Sequence, residues 1–214
     1  MKKRRQIEFL TACGLLAAFV LWTAAICRVD VQAIGPQGTS VGFAALNRFV
    51  HDLTGVSMLL YNVTDWLGLV PLLFALGFAL FGLVQWIKRK SIRKVDRSIL
   101  ALGGFYLAVI GTYMYFEMHV INYRPVLIEG FLEPSYPSST TMLVLCVMLT
   151  AAMEFHSRIK SKRLRHGASF AIIGFTVFMV IGRLLSGVHW VTDIIGGALL
   201  SAGLVTLYHA VSIS

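Results

Sequence analysis

Residues 66–87 read WLGLVPLLFALGFALFGLVQWI and contain no charged side chain. About 20 apolar residues are needed to cross the hydrocarbon core of a bilayer, and the backbone must satisfy its own hydrogen bonds there. The run is therefore predicted to form a membrane-spanning helix. The whole chain fits the same environment, because 57% of its 214 residues are hydrophobic and only 14% are charged, a balance that a water-soluble globule would struggle to bury.

Five further apolar runs of similar length lie on either side of this one. Together they give six predicted spans, near 8–27, 66–87, 98–118, 138–155, 168–186 and 190–211. The prediction is an all-α fold, a six-transmembrane-helix bundle that forms a single membrane domain over residues 1–214. Only residues 186–189 separate the last two spans, which requires a tight turn in which Gly187 supplies a positive φ.

The basic residues indicate the orientation of the chain. Lys and Arg number 19 against 10 Asp and Glu, a formal net charge of +9, and most of them lie in segments 2–5, 88–97 and 158–165. In a six-span chain all three segments face one side, and the positive-inside rule makes that side cytoplasmic. We therefore expect a multi-pass protein of the cell membrane with both termini in the cytoplasm. Basic runs between apolar stretches indicate lipid headgroups, not nucleic acid, as partners.

Residues 42–54 belong to the longest of the predicted outer segments. Their apolar side chains recur at helical spacing, at Phe43, Leu46, Phe49, Val50 and Leu53. This pattern predicts an amphipathic helix that lies on the outer interface. Such a helix could be a packing lid over the bundle or a lateral gate for a lipid substrate.

The sequence Asn122-Tyr123-Arg124-Pro125 follows the third predicted span. A proline restricts the residue before it to extended conformations, so the backbone of Arg124 is well defined. A guanidinium held in this way suits bidentate recognition of phosphate oxygens. An arginine in such a loop can equally anchor the chain to lipid headgroups.

The sequence Tyr136-Pro137-Ser138-Ser139-Thr140-Thr141 precedes the fourth span. A serine at this point is typical of a helix N-cap, and the free N–H groups of the first helical turn form an anion site that the helix dipole strengthens. Helix capping alone would also account for these hydroxyl groups.

Residues 182–193, GRLLSGVHWVTD, join the last two spans. His189 and Asp193 are four residues apart, so on one helical turn the carboxylate would accept a hydrogen bond from the imidazole. The second ring nitrogen would then be free as a nucleophile or base, and Arg183 could supply charge for an anionic centre. A purely structural His–Asp pair is the alternative interpretation.

The three motifs resemble those of the type 2 phosphatidic acid phosphatase superfamily, the lipid phosphate phosphatases, whose pattern is KxxxxxxRP, PSGH and SRxxxxxHxxxD. The resemblance covers residues 117–193, and the third motif keeps Arg, His and Asp at the family spacing. It implies a six-helix membrane enzyme that needs no metal or other cofactor. The distribution of basic residues separately predicts that the three motifs lie at the outer leaflet. The implied substrate is a phosphorylated lipid of the phosphatidate or polyprenyl diphosphate type.

The resemblance also implies roles for individual residues. His189 would attack phosphorus and Asp193 would orient it. Arg124 and Arg183 would hold the equatorial oxygens, assisted by Ser138 and neighbouring amides, and water would then release phosphate from a phosphohistidine. The predicted substrate-binding positions are Ser139, Thr140 and Glu117.

Two departures from the family pattern fall on residues with a chemical role. Glu117 stands where the first motif has Lys, and Thr140 stands where the second motif has the His that protonates the leaving group. The enzyme could favour lipid diphosphates, whose phosphate leaving group needs a general acid far less. Another acid could substitute, namely Glu117, His119 or Glu133. Catalysis could also be lost, leaving a lipid-phosphate-binding protein. Glu117 itself could be a protonated acid or the salt-bridge partner of Arg124.

Overall fold

The computed structural model describes residues 2–212, and its regular elements are helical. Met1, Ile213 and Ser214, which the single-domain prediction also covers, lie outside the described residues. In chain order the helices are α1 (Lys2–Ile26), α2 (Ala44–Thr54), α3 (Met58–Leu67), α4 (Leu69–Arg89), α5 (Arg97–Met118), α6 (Ser139–Arg158), α7 (Lys162–Leu185) and α8 (Val191–Ser212), with 3₁₀ turns at Pro36–Gly38 and Ile92–Lys94. Within the described chain, six stretches are long and apolar enough to cross a membrane: α1, α3 with α4, and α5 to α8. The predicted all-α bundle with six spans is confirmed.

The bundle has two ends with different polar residues. We call the end with loops 119–138 and 186–190 the motif end, and the end with loops 90–96 and 159–161 the basic end. Helix α8 is central: a Cβ at Gly203 would lie 2.8 Å from Leu16 Cδ2 of α1, and one at Gly196 would lie 2.4 Å from the ring of Tyr136. Small residues let neighbours approach closely, which favours helix association in a bilayer.

The second span starts earlier than predicted. Residues 58–65, predicted to be part of an outer loop, form α3, which begins after Ser57 because the Ser57 hydroxyl accepts a hydrogen bond from Leu60 N at 3.3 Å. Gly68 keeps a helical backbone (φ −59°, ψ −18°), so α3 passes into α4 as one 32-residue stretch. At 1.5 Å per residue this is about 48 Å, against a core of about 30 Å. Helix α3 therefore extends beyond the core at the motif end.

Helix α2 lies within the segment predicted to be amphipathic. Its buried residues are Ala44 and Asn47, whereas Leu46, Phe49 and Leu53 are exposed. Exposed apolar side chains on a helix suit a position at a membrane interface. The packing lid and the lateral gate both stay predictions.

A polar network at the basic end connects α5, α6 and α8. Arg158 Nε lies 2.9 Å from Glu154 Oε2, and its Nη1 lies 3.0 Å from Asp96 Oδ2. Arg158 also donates to Ser98 Oγ at 2.9 Å, and the Tyr208 hydroxyl donates to Glu154 Oε1 at 2.8 Å. Because Glu154 is buried, these partners satisfy a carboxylate that water cannot reach.

Asp96, just before α5, is held by three side chains. Hydrogen bonds from Gln85, Arg158 and Arg89 lower the pKa of Asp96 from 3.8 to about 2. A lowered pKa means that the stabilisation by this carboxylate is complete above pH 3.8 and is lost only as the pH falls toward 2. The ion pair with Arg158 therefore persists across the physiological range.

Replacing Arg158 with Met is expected to destabilise the bundle, because the buried Glu154 would lose its charged partner. Leaving one member of such a pair uncompensated costs about 3 kcal/mol, so thermal unfolding in detergent should show a lower midpoint. Arg163→Met is the matched control, since Arg163 is an exposed arginine of α7. Equal midpoints for the two variants would contradict a structural role for the network.

Candidate active site

The turn between α7 and α8 buries His189 at the motif end, where its exposed fraction is 4%. Gly187 has φ 68°, and a Cβ there would lie 1.9 Å from the carbonyl oxygen of Gly55. The Ser57 N–H donates to the Ser186 carbonyl at 3.0 Å. The segment before α3 thus packs directly on the turn, which is why this position requires glycine.

Two arginines converge on one nitrogen of His189. Nε2 lies 3.5 Å from Arg124 Nη1 and 3.4 Å from Arg183 Nη2. Arg183, in the last turn of α7, is 1% exposed, and Arg124, in the loop after α5, is 8% exposed. Guanidinium groups around an imidazole nitrogen can hold a tetrahedral oxyanion beside a nucleophile.

The surroundings of His189 keep its imidazole neutral. Burial lowers the pKa of His189 well below its ordinary value of 6.5, and the positive charges of Arg124 and Arg183 lower this pKa further. A neutral imidazole has one unprotonated ring nitrogen, which is the form that can attack an electrophile.

Asp193 lies beside His189, but the predicted hydrogen bond between them is not formed. His189 Nδ1 and Asp193 Oδ2 are 3.7 Å apart, because α8 begins only at Val191 and the two residues do not share a helical turn. Asp193 accepts instead from Trp190 N at 3.0 Å and from Asn122 Nδ2 at 3.1 Å. It closes the first turn of α8 and lies beside His189 without a hydrogen bond to it.

The loop between α5 and α6 presents Arg124. Its N–H donates to the Glu133 carbonyl at 3.0 Å, and its Nε lies 3.0 Å from Glu133 Oε2. Trp190 Nε1 donates to the Tyr123 carbonyl at 2.8 Å. The loop that carries one arginine is thereby attached to the turn that carries His189.

Ser138 is the N-cap of α6. Its hydroxyl accepts from Thr141 N at 3.4 Å, and its own N–H donates to the Asp193 carbonyl at 3.1 Å. The first turns of α6 and α8 therefore lie side by side, and Ser139 and Thr140 are the half-buried first two residues of α6. Capping accounts for the Ser138 hydroxyl, and phosphate binding by Ser138, Ser139 and Thr140 stays a prediction.

Glu117 lies away from the arginine pair. It is exposed at the end of α5 and lines a small cleft with Ser139. The salt bridge to Arg124 that the sequence left open is not formed, because Arg124 pairs with Glu133. His119 is exposed. Among the three candidate substitute acids, which all lie in the described chain, Glu133 is the one that contacts an arginine of the site.

Helix α3 contributes three residues that the sequence did not single out. The guanidinium carbons of Arg183 and Arg124 lie 4.9 and 5.7 Å from the ring centre of Tyr61. Arg183 Nη1 lies 3.4 Å from the hydroxyl of Thr64 and 3.6 Å from Asp65 Oδ1. Helix α3 thus places an aromatic ring and a carboxylate beside the two neighbouring guanidinium groups, and both offset their positive charge.

Gly182 is the sequence signal that could have revealed this contact. It stands where the family pattern has Ser, and a Cβ there would lie 2.7 Å from Thr64 Cγ2. A missing side chain beside Arg183 allows α3 to approach α7 closely. The replacement of the motif serine by Gly182 therefore makes room for Thr64.

Asn47 of α2, also absent from the predicted site, caps α8 from outside. Its Oδ1 accepts from Thr192 N at 3.3 Å, and its Nδ2 donates to the Gly42 carbonyl at 2.8 Å and to Thr192 Oγ1 at 3.0 Å. The first N–H groups of a helix have no acceptor within the helix. Asn47 supplies one immediately next to Asp193.

Known proteins share both the motifs and the fold of this chain. The PAP2 superfamily model matches residues 121–213, the part that carries Arg124, Arg183 and His189. Among solved structures, the chain is similar to the first transmembrane PAP2 type phosphatidylglycerolphosphate phosphatase from Bacillus subtilis, with a TM-score of 0.61 and 18% sequence identity, covering 93% of each chain. At this identity the likeness establishes the fold. No curated protein matches the chain. The chain is a multi-pass membrane protein that has the fold of a transmembrane PAP2 phosphatase and whose residues 121–213 match the PAP2 superfamily model.

Proposed function

We propose that this protein is a phosphatase that removes phosphate from a phosphorylated lipid, with His189 as the nucleophile. The observation that carries the proposal is the position of Nε2, which lies within 3.5 Å of both Arg124 and Arg183 in a buried site. A phosphoryl group bound by the two guanidiniums would place its phosphorus next to this nitrogen. The match of residues 121–213 to the PAP2 superfamily model supports a phosphoric ester hydrolase in general.

In the first step Nε2 would attack phosphorus, and a P–N bond would form as the bond between phosphorus and the leaving oxygen breaks. Arg124 and Arg183 would stabilise the charge on the equatorial oxygens. Asp193, 3.7 Å from Nδ1, would offset the positive charge that the imidazole gains. In the second step water would attack phosphorus and the P–N bond would break. The released phosphate would keep the protons of the water, and His189 would return to its neutral form.

The leaving group points to a lipid diphosphate as the preferred substrate. Thr140 cannot protonate an alkoxide, and among the candidate substitutes Glu117 and His119 are exposed away from the arginines. Glu133 is the counter-ion of Arg124, and this role differs from that of a general acid, which must donate a proton. A diphosphate ester releases a lipid monophosphate, and this leaving group needs little protonation.

The distribution of charge supports an active site on the outer face. The basic segments 88–97 and 158–165 lie at the opposite end of the bundle from His189. By the positive-inside rule that end faces the cytoplasm, and both termini would lie there too. The substrate phosphate would then belong to a lipid of the outer leaflet.

His189→Gln is expected to lower phosphate release from a polyprenyl diphosphate by roughly a thousandfold or more, because removal of a catalytic nucleophile has effects of at least this size. The measurement is phosphate release by protein purified in detergent. His119→Gln is the matched control, as this exposed histidine also lies at the motif end. Comparable activity of the two variants would rule out His189 as the nucleophile. Lipid binding by the unaltered protein without any release would support a non-catalytic lipid-phosphate-binding protein instead.

Thr140→His is expected to restore a general acid and so to raise hydrolysis of a polyprenyl monophosphate by about 100-fold or more. Hydrolysis of the diphosphate with the same chain should change far less, because its leaving group does not require the proton. Thr140→Gln controls for the size and polarity of the new side chain. A similar change for both substrates would show that position 140 does not serve the leaving group.

The pH profile of kcat/KM should retain activity well below pH 6.5. The pKa of His189 is lowered, so the neutral nucleophile persists as the pH falls, and kcat/KM reports the free enzyme. The fall of kcat/KM at low pH would be compared for two lipid diphosphates whose phosphate groups have different pKa values. A fall that comes from the substrate would shift between the two, whereas a fall that comes from the enzyme would not. A shared acid limb at or above pH 6.5 would contradict a neutral, buried His189.

A further inference from the structure

A groove runs between α4 and α5 at the basic end, at the opposite end of the bundle from His189. It exists because small residues, Ala75, Ala79 and Gly82 of α4 and Gly103 of α5, face one another across it. It encloses about 330 Å³, which is within the range of ligand pockets. From residue 75 to residue 86 along α4 it extends for about 16 Å.

The walls of this groove are apolar. Phe78 and Leu102 are buried along it, and Leu83 and Leu100 are exposed at its edges. The hydroxyl of Tyr106, which also lines it, already lies 3.2 Å from Thr150 Oγ1. A ligand in the groove therefore meets hydrocarbon and no unsatisfied hydrogen-bonding group, which is the environment of a lipid acyl chain.

The mouth of the groove carries positive charge. Ile92 and Val95, which line the groove, belong to the short connection between α4 and α5. The same connection carries Lys90, Arg93 and Lys94, which are exposed and form no salt bridge within the described chain. Basic clusters at the end of a membrane helix attract anionic lipid headgroups.

We propose that this groove binds one acyl chain of a phospholipid with a net negative headgroup, and that Lys90, Arg93 and Lys94 bind the headgroup phosphate. The lipid comes from the leaflet at the basic end. The charges and the groove lie on one connected surface, so both parts of a single lipid are recognised together. This site is separate from the hydrolytic chemistry and does not depend on it.

Trp86, which lines the groove and is half exposed, makes the proposal testable by fluorescence. The full chain would be reconstituted in phosphatidylcholine vesicles that contain either brominated phosphatidylglycerol or brominated phosphatidylcholine at equal mole fraction. The quenching due to Trp86 is the difference between the unaltered chain and Trp86→Phe. We expect brominated phosphatidylglycerol to be preferred at Trp86 by about fivefold or more.

Two sets of variants distinguish specific binding of the headgroup by Lys90, Arg93 and Lys94 from nonspecific attraction by the basic end. Replacing Lys90, Arg93 and Lys94 by Gln should abolish the preference. Replacing Lys160, Lys162 and Arg163 by Gln removes the same number of charges from the other basic segment, 158–165, and should leave the preference intact. Equal quenching by the two lipids in the unaltered chain, or equal loss of preference in both variants, would overturn the proposal.

Gly103→Leu tests the acyl-chain part independently. A Cβ at Gly103 meets no atom within 4 Å, and leucine favours a helix more than glycine does, so the fold should be retained. The added side chain would fill the groove and reduce quenching of Trp86 by either brominated lipid. Unchanged quenching would show that the lipid chain lies elsewhere.

Discussion

Two guanidinium groups and one imidazole meet in a buried site at the motif end, and the surrounding structure offsets the repulsion between the two positive charges. Like charges repel strongly where water is scarce. Tyr61 presents its ring to both arginines, and Asp65 and Glu133 each place a carboxylate beside one of them. These residues come from α3 and from the loop after α5. Both segments therefore bring groups that offset the charge of the arginines.

His189 is positioned mainly through the backbone of the turn that carries it. The first turn of α8 is closed on one side by Asp193, which accepts from Trp190 N, and on another by Asn47, which accepts from Thr192 N. In a catalytic triad the carboxylate fixes the imidazole ring through a hydrogen bond. Here Asp193 fixes the turn instead, and His189 takes its place from the geometry of that turn.

Local properties of the sequence predicted the helices, because an apolar run must be helical in lipid whatever it packs against. The family pattern singled out candidate residues for the chemistry, and the structure brings the two arginines and the histidine together. The contacts of Thr64 and Asn47 could not be predicted in this way, since their partners are 119 and 145 residues away and nothing in their own segments marks them.

The hydrogen bond predicted between His189 and Asp193 is not formed, for a local reason. A spacing of four implies a shared face only if both residues are helical, and α8 begins two residues after His189.

The different exposures of the charged groups explain how such a site can take up a phosphate. The side chains of Arg183 and Arg124 are 1% and 10% exposed, whereas those of Asp65 and Glu133 are 58% and 39% exposed. Solvated ion pairs contribute about 0–1 kcal/mol, so the carboxylates can turn to water at small cost when a phosphate dianion reaches the arginines. The arginines cannot leave, because they are held by the fold. Under the proposed function, substrate binding therefore replaces weak counter-ions with a stronger one, and the positive charge next to His189 is already in position when the lipid arrives.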